Sequence, residues 1–263
     1  MKANQMSWLL MVLLVSLVWS TGCAGVQRAA ADVLIPVEEE NRLGQELSQQ
    51  IDAELRIHSD EQLQRYVRDL GAQILRHVPN NPRGINYRFV VIDDIETINA
   101  FAIPGGHIYV YTGLLRVMDN EAELAAVLSH EIAHVTRRHV AQRLVAAYGA
   151  ESVSRMALGQ EPGLIAQLVT AVVGQGFMLR YSRDQERDAD EWGLQYAVAA
   201  DYNPEAFLTF FRKLRGGPTV PSFLSTHPSP DDRIEYMSQW IRRINPRPTR
   251  LEEARFQAVK ARL

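Results

Sequence analysis

Cysteine is nearly absent from these 263 residues: Cys23 stands alone, so no internal disulfide can form and the thiol is free for another use. A basic excess is missing too. With 28 Lys and Arg against 31 Asp and Glu, the net charge of -3 gives none of the cationic surface that phosphate neutralisation needs, and no nucleic-acid partner is expected. Internal repeats and low-complexity tracts are also lacking, which excludes solenoids and biased linkers. No apolar run reaches the roughly 20 residues of a bilayer span. Trp8 to Trp19 is too short, and the uncharged stretch 163–179 carries Gln167, Gln175 and several glycines, so a buried or surface-lying helix is expected there. What remains, 46% hydrophobic and 22% charged, is the make-up of one globular domain.

The N-terminus departs from that make-up. Lys2, the apolar run and the small residues Ser20, Thr21 and Gly22 before Cys23 read as an export signal. The expected division is a signal peptide over 1–22, a lipidated Cys23 with a tether over 23–36, and one folded domain over 37–263. Cys23 sits as the cysteine of a bacterial lipobox does, although Ser20 stands where that motif usually has Leu. Cleavage within Ala29 to Ala31 is the rival route. Either places the body outside the inner membrane. Ala24 after the cysteine is similar to an outer-membrane sorting signal.

Periodicity organises the rest. Ser59 with Gln62 is expected to cap a helix whose stripe is Leu63, Tyr66, Val67, Leu70, Ile74 and Leu75, ending near Pro79. Two or three short strands are expected between 86 and 112, with Pro104, Gly105 and Gly106 at a turn. Asn120, with Glu123 at the capping-box position, is expected to open a long helix through about 147. Further helices should begin at Ser182, with Gln185, at Asn203 before Pro204, and at Ser229 before Pro230.

The chemistry sits on the long central helix. His130, Glu131 and His134 form HEIAH; residues four apart share a helical face, so both imidazoles reach one metal ion while Glu131 lies beside it as general base. A catalytic zinc site needs a third protein ligand and an open position. Glu186 and Asp190, again four apart in YSRDQERDADEWG, offer a ligand carboxylate and one that holds a ligand histidine's free N–H. The bland alternative for Asp184, Glu186, Asp188 and Asp190 is a solvated face balanced by Arg183 and Arg187; HEIAH upstream favours Glu186 as ligand. Asn99 and the strand residues Ile108, Tyr109 and Val110 are candidates to pair an extended substrate along an exposed edge. His107 and His139 lie outside the metal spacing and are assigned structural roles, while His58 and His77 carry no signal.

HEIAH with ERDAD resembles the HExxH plus ExxxD signature of the zinc metallopeptidase family that includes CAAX prenyl endopeptidases and HtpX-like proteases. NAFAIPGGHIYVYTGLL (Asn99 to Leu115) resembles the strand, turn and strand before that family's zinc helix, and STHPSPDDR (Ser225 to Arg233) its late loop. Within the family, the signal sequence is similar to that of the periplasmic, outer-membrane lipoprotein branch, and the chain length to its short members without tetratricopeptide repeats.

The resemblance implies an α+β, mainly α, zincin-like domain in which a HExxH helix faces an ExxxD helix, with one Zn2+ per chain. It implies Arg233 as a catalytic cation opposite a developing oxyanion, with a surface helix-capping arginine as the rival. It also implies His227 as a regulatory fourth zinc ligand that holds the enzyme latent, against a hydrogen-bonded turn residue. Function follows as an endopeptidase for misfolded or stalled envelope proteins, bound to the membrane through Cys23. A zinc-latched chaperone or binding lipoprotein is the second reading, and a non-proteolytic metallohydrolase the third. Oligomeric state is left open.

Overall fold

The computed structural model describes residues 35–79, 81, 84–175, 180–216, 222–227, 230–245 and 247–263. The signal sequence, Cys23, nearly all of the tether and Ser229 lie outside the described residues.

Two helices precede the sheet: α1 (Val37–Glu54) and α2 (Glu61–Leu75). Asp60, rather than Ser59, caps α2, its Oδ1 accepting from Gln62 N at 2.8 Å and Leu63 N at 3.1 Å. Asp60 is the residue directly before the first helical position, where a side-chain oxygen reaches the second and third amides.

Three strands follow: β1 (Arg88–Ile92), β2 (Ala100–Ile103) and β3 (His107–Tyr111), with the Pro104–Gly106 turn between the last two. Their order is β1-β3-β2, β3 being parallel to β1 and antiparallel to β2. This corrects the substrate-strand expectation. Ile108, Tyr109 and Val110 lie on the central strand, whose backbone is paired on both sides, so the sheet's edges are β1 and β2. The β1 edge is covered: His58 N donates to Val91 O, and the Gln64 side chain both donates to Val91 O and accepts from Val91 N, each at 2.9 Å. Such cover blunts an edge and leaves β2 as the remaining one.

After α3 (Thr112–Val117) comes the zinc-motif helix α4 (Glu121–Thr136), then α5 (His139–Tyr148). Asn120 caps α4, accepting from Glu123 N at 3.0 Å, while the Glu123 carboxylate accepts from Asp119 N at 2.9 Å, one residue earlier than in a reciprocal box. All 16 residues of α4 are buried, as befits the central helix of a packed domain. The expected run to about 147 is broken at Arg137 and Arg138. Arg138 takes φ 57°, a conformation costly for a residue with a Cβ, and its buried guanidinium is held by Glu40 Oε2 at 3.1 Å and by the Ile35 carbonyl.

The remaining helices are α6 (Ala150–Ala157), α7 (Pro162–Gln175), α8 (Arg183–Ala199), α9 (Glu205–Gly216), α10 (Ser222–Thr226), α11 (Pro230–Ile241) and α12 (Glu253–Lys260). Ile165, Leu168, Val169 and Val172 bury one side of α7. Among the described residues no single helix is long and apolar enough to cross a membrane; residues 176–179 of that uncharged run lie outside them. Ser182 and Gln185 form the full capping box of α8. Helices α4 and α8 pack directly on each other, since a Cβ on Gly193 would stand 3.0 Å from His130 N and Cα. That contact sets the two motifs face to face.

Candidate active site

Helix α4 supplies His130, Glu131 and His134, and α8 supplies Glu186 and Asp190. His227 follows α10, and α11 adds Arg233. All are buried. One donor atom from each of His130, His134, Glu186 and His227 lies within 4.8 Å of the others. His130 Nε2 is 3.0 Å from His134 Nε2, His134 Nε2 is 3.4 Å from Glu186 Oε1, and His227 Nδ1 is 2.9 Å from Glu186 Oε1. With zinc–nitrogen bonds near 2.0–2.1 Å, a tetrahedral site separates its donors by about 3.3 Å, and these distances cluster around that value.

Hydrogen-bond bookkeeping supports the fit. His130 Nδ1 lies 3.0 Å from Asp190 Oδ1 and 3.3 Å from Arg233 Nη2; a proton on Nδ1 satisfies the nearer group, a carboxylate that can only accept. A bare Nε2 lone pair then faces His134 Nε2. A buried convergence of lone pairs needs a proton or a cation between them. Among the described residues, Glu186 Oε2, His227 Nε2 and both oxygens of Glu131 are buried without a hydrogen bond. Three carboxyl groups, Glu131, Glu186 and Asp190, and three imidazoles share this buried volume with Arg233, a donor-rich site of the kind a divalent cation occupies. Two imidazoles and a carboxylate suit zinc.

The surroundings separate the carboxyls by role. Burial pushes the Glu131 carboxyl above the ordinary carboxylate range, only partly offset by His227 and His130. Burial also opposes ionisation of Glu186, but His227 and Arg233 outweigh it and hold that group well below its usual range. Two acids side by side are thus pushed in opposite directions.

Arg233 is anchored on Asp190, with Nη1 left without a hydrogen bond among the described residues. Its Nε and Nη2 donate to Asp190 at 2.9 and 2.6 Å, and Nη1 lies 2.7 Å from Glu186 Oε2, though without hydrogen-bond geometry. Tyr236 also donates to Asp190. Asn99 is buried, with its carbonyl accepting from Tyr111 N at 3.1 Å. Just before it, the Ile98 carbonyl accepts from Phe223 N at 3.0 Å, which hooks α10 onto the start of β2.

The Peptidase family M48 profile matches residues 58–241, a span holding every one of these donors. The chain belongs to peptidase family M48. Zinc is the metal of M48 metalloproteases, in keeping with the donor set. Among similar proteins, the Beta-barrel assembly-enhancing protease of Escherichia coli (strain K12) is 29% identical over 247 residues, covering 89% of this chain and 50% of that protein. Its namesake in Yersinia pestis is 30% identical over 235 residues, 84% of this chain and 47% of that one. The Mitochondrial metalloendopeptidase OMA1 of Saccharomyces cerevisiae is 32% identical over 178 residues, 62% and 49% of the two chains. The chain thus spans about half the length of the curated relatives it matches.

Several neighbours of this M48 site carry no signal in the sequence. Tyr181 stacks on the His134 ring at 3.7 Å between centroids, and Phe223 stacks on His227 at 4.4 Å. Asp188 pairs with Arg137 at 2.5 Å instead of Arg183 or Arg187, and so leaves the solvated face to which Asp184 belongs. Arg187 lies over Tyr236 and Trp240. Contacts between distant segments leave no spacing to read.

Proposed function

We propose that this M48 chain is a zinc-dependent endopeptidase that hydrolyses misfolded or stalled envelope proteins from the periplasmic side of the membrane, anchored there through Cys23. The observation that carries the hydrolytic reading is Glu131: a buried carboxyl without hydrogen-bond partners among the described residues, beside a four-donor cluster. His130, His134 and Glu186 would hold the metal, and Asp190 would orient His130. Zinc bound there supplies Lewis-acid polarisation of a carbonyl and acidification of water. Glu131 takes the water's proton and returns it to the leaving amine, a role suited to a carboxyl whose proton affinity burial has raised. Arg233, anchored on Asp190 beside Glu186, would hold both carboxylates in place, and its Nη1, without a hydrogen bond among the described residues, would be the donor toward a developing oxyanion. The edge strand β2, opening after Asn99, is the place for an extended substrate to add as a further strand.

His227 accounts for a resting state. Its Nδ1 is 2.9 Å from Glu186 Oε1 and 3.2 Å from His130 Nε2, inside the donor cluster where a substrate carbonyl or water would otherwise enter. The Phe223 hook on Ile98 holds the same segment at the start of the substrate strand. The envelope assignment rests on the export signal and on relatives named for β-barrel assembly.

The test is digestion of an outer-membrane β-barrel protein, urea-unfolded or folded, by the parent chain and by His227→Ala. Cleavage of the unfolded barrel alone, faster with His227→Ala, is the expected result. Binding of the unfolded barrel without cleavage by either chain would put the latched-chaperone reading in its place.

A further inference from the structure

We propose that His139, Asp188 and Arg137 form a hydrogen-bond relay that pins the proton of His134 on Nδ1, so that its Nε2 is presented bare to the metal, making His139 a positioning residue of the site. The proposal rests on the zinc reading above and extends it to residues outside the two motifs.

The relay is continuous. His134 Nδ1 is 3.0 Å from His139 Nδ1, His139 Nε2 is 3.1 Å from Asp188 Oδ2, and Arg137 grips both oxygens of Asp188, with Nε at 2.5 Å from Oδ2 and Nη2 at 3.0 Å from Oδ1. Each link needs one donor and one acceptor, and the far end decides the direction. A carboxylate held by a guanidinium only accepts, so His139 carries hydrogen on Nε2. A neutral imidazole has one N–H, which leaves His139 Nδ1 as acceptor and requires His134 to donate from Nδ1. The remaining nitrogen, His134 Nε2, is the one that points into the donor cluster.

On His130, Asp190 gripped by Arg233 stands 3.0 Å from Nδ1 in one step, with Arg233 Nη2 at 3.3 Å from the same nitrogen; His134 is reached in two. The helix break makes this possible. Five residues along an unbroken helix, His139 would stand about 140° round from His134 and face elsewhere. The left-handed Arg138 ends α4 and folds the first residue of α5 back onto it. Tyr181, stacked on the His134 ring, fixes the remaining rotation of the imidazole. Partners of this kind orient ligand histidines, and their loss weakens metal binding by about 10–100-fold.

The test is the zinc dissociation constant of the full chain by chelator competition for the parent, His139→Ala and His139→Asn. Asn places a carbonyl oxygen where His139 Nδ1 stands, an acceptor for His134 without the rest of the relay. Weakening by about 10–100-fold in His139→Ala, largely restored in His139→Asn, is the expected pattern. Parental affinity in His139→Ala, or no recovery in His139→Asn, would overturn the relay. Should His139→Ala fail to fold, nitrogen-15 spectra of the zinc-loaded parent decide it: His139 protonated on Nε2 supports the proposal, and His139 protonated on Nδ1 refutes it. A parent that binds no zinc would sink the underlying zinc reading, a result distinct from a zinc-binding parent with an indifferent His139.

Discussion

His107 opens β3 with its Nδ1 buried and, among the described residues, without a hydrogen-bond partner. Burial, reinforced by the charge of Arg88, lowers its pKa to about 4 from 6.5. The unfolded chain takes this proton near pH 6.5 and the folded chain only near 4, so the contribution to stability is complete above 6.5 and is lost as pH falls toward 4. A shift of that size corresponds to about 3 kcal/mol. Thermal unfolding of the parent between pH 6.5 and 4 should therefore steepen relative to His107→Gln; parallel pH profiles would show that His107 is solvated. Residues of this kind show how legibility depends on spacing. His130 with His134, and Glu186 with Asp190, could be named because a four-residue interval on a helix implies a shared face, and Glu131 because it stands beside the first pair. His139 could not, because its contact with His134 depends on a break that neither Pro nor Gly announces.

Helix α1 sits closer to the sheet than its stripe alone would suggest. A Cβ on Gly44 would lie 2.0 Å from the Pro104 carbonyl oxygen, so only glycine lets this helix meet the turn that joins β2 to β3. Substituting Gly44→Ala gains about 0.5–1 kcal/mol of helix preference but forces backbone apart, a cost of about 1–3 kcal/mol. The net expectation is a lower unfolding midpoint and a displaced β2 edge, measured by denaturation and by the KM for an unfolded substrate. An unchanged midpoint would mean that α1 is free to slide. At this scale the number and place of the strands could be read from β-branched and aromatic runs, and the caps at Asn120 and Ser182 from side-chain chemistry. Strand order could not, because pairing partners lie far apart in sequence and nothing in IYVY distinguishes a central strand from an edge.

Across the described residues, the start of α4 is tied to segments that precede and follow it in the chain. Buried Glu121 accepts from Tyr66 and Tyr202, each at 2.6 Å, while Arg250 and Arg255 approach it within 3.4 Å. Ala122 N donates to Leu251 O at 3.2 Å. Thus α2, α8's following turn and the C-terminal segment all converge on the helix that bears HEIAH. The individual helices and short strands followed from period, and the mainly helical zincin-like class from the family resemblance; this convergence did not, since no single segment carries it. One metal ion and Glu131 together would make this site hydrolytic. The most direct measurement is simultaneous zinc content and cleavage of an unfolded model protein for the parent, Glu131→Gln and a chelated then zinc-restored sample. About one zinc per chain is expected in both proteins, with a loss of about 10²–10⁴-fold or more in rate for Glu131→Gln and activity that disappears with the metal and returns with it. Cleavage that survives in Glu131→Gln or in the metal-free chain would contradict it.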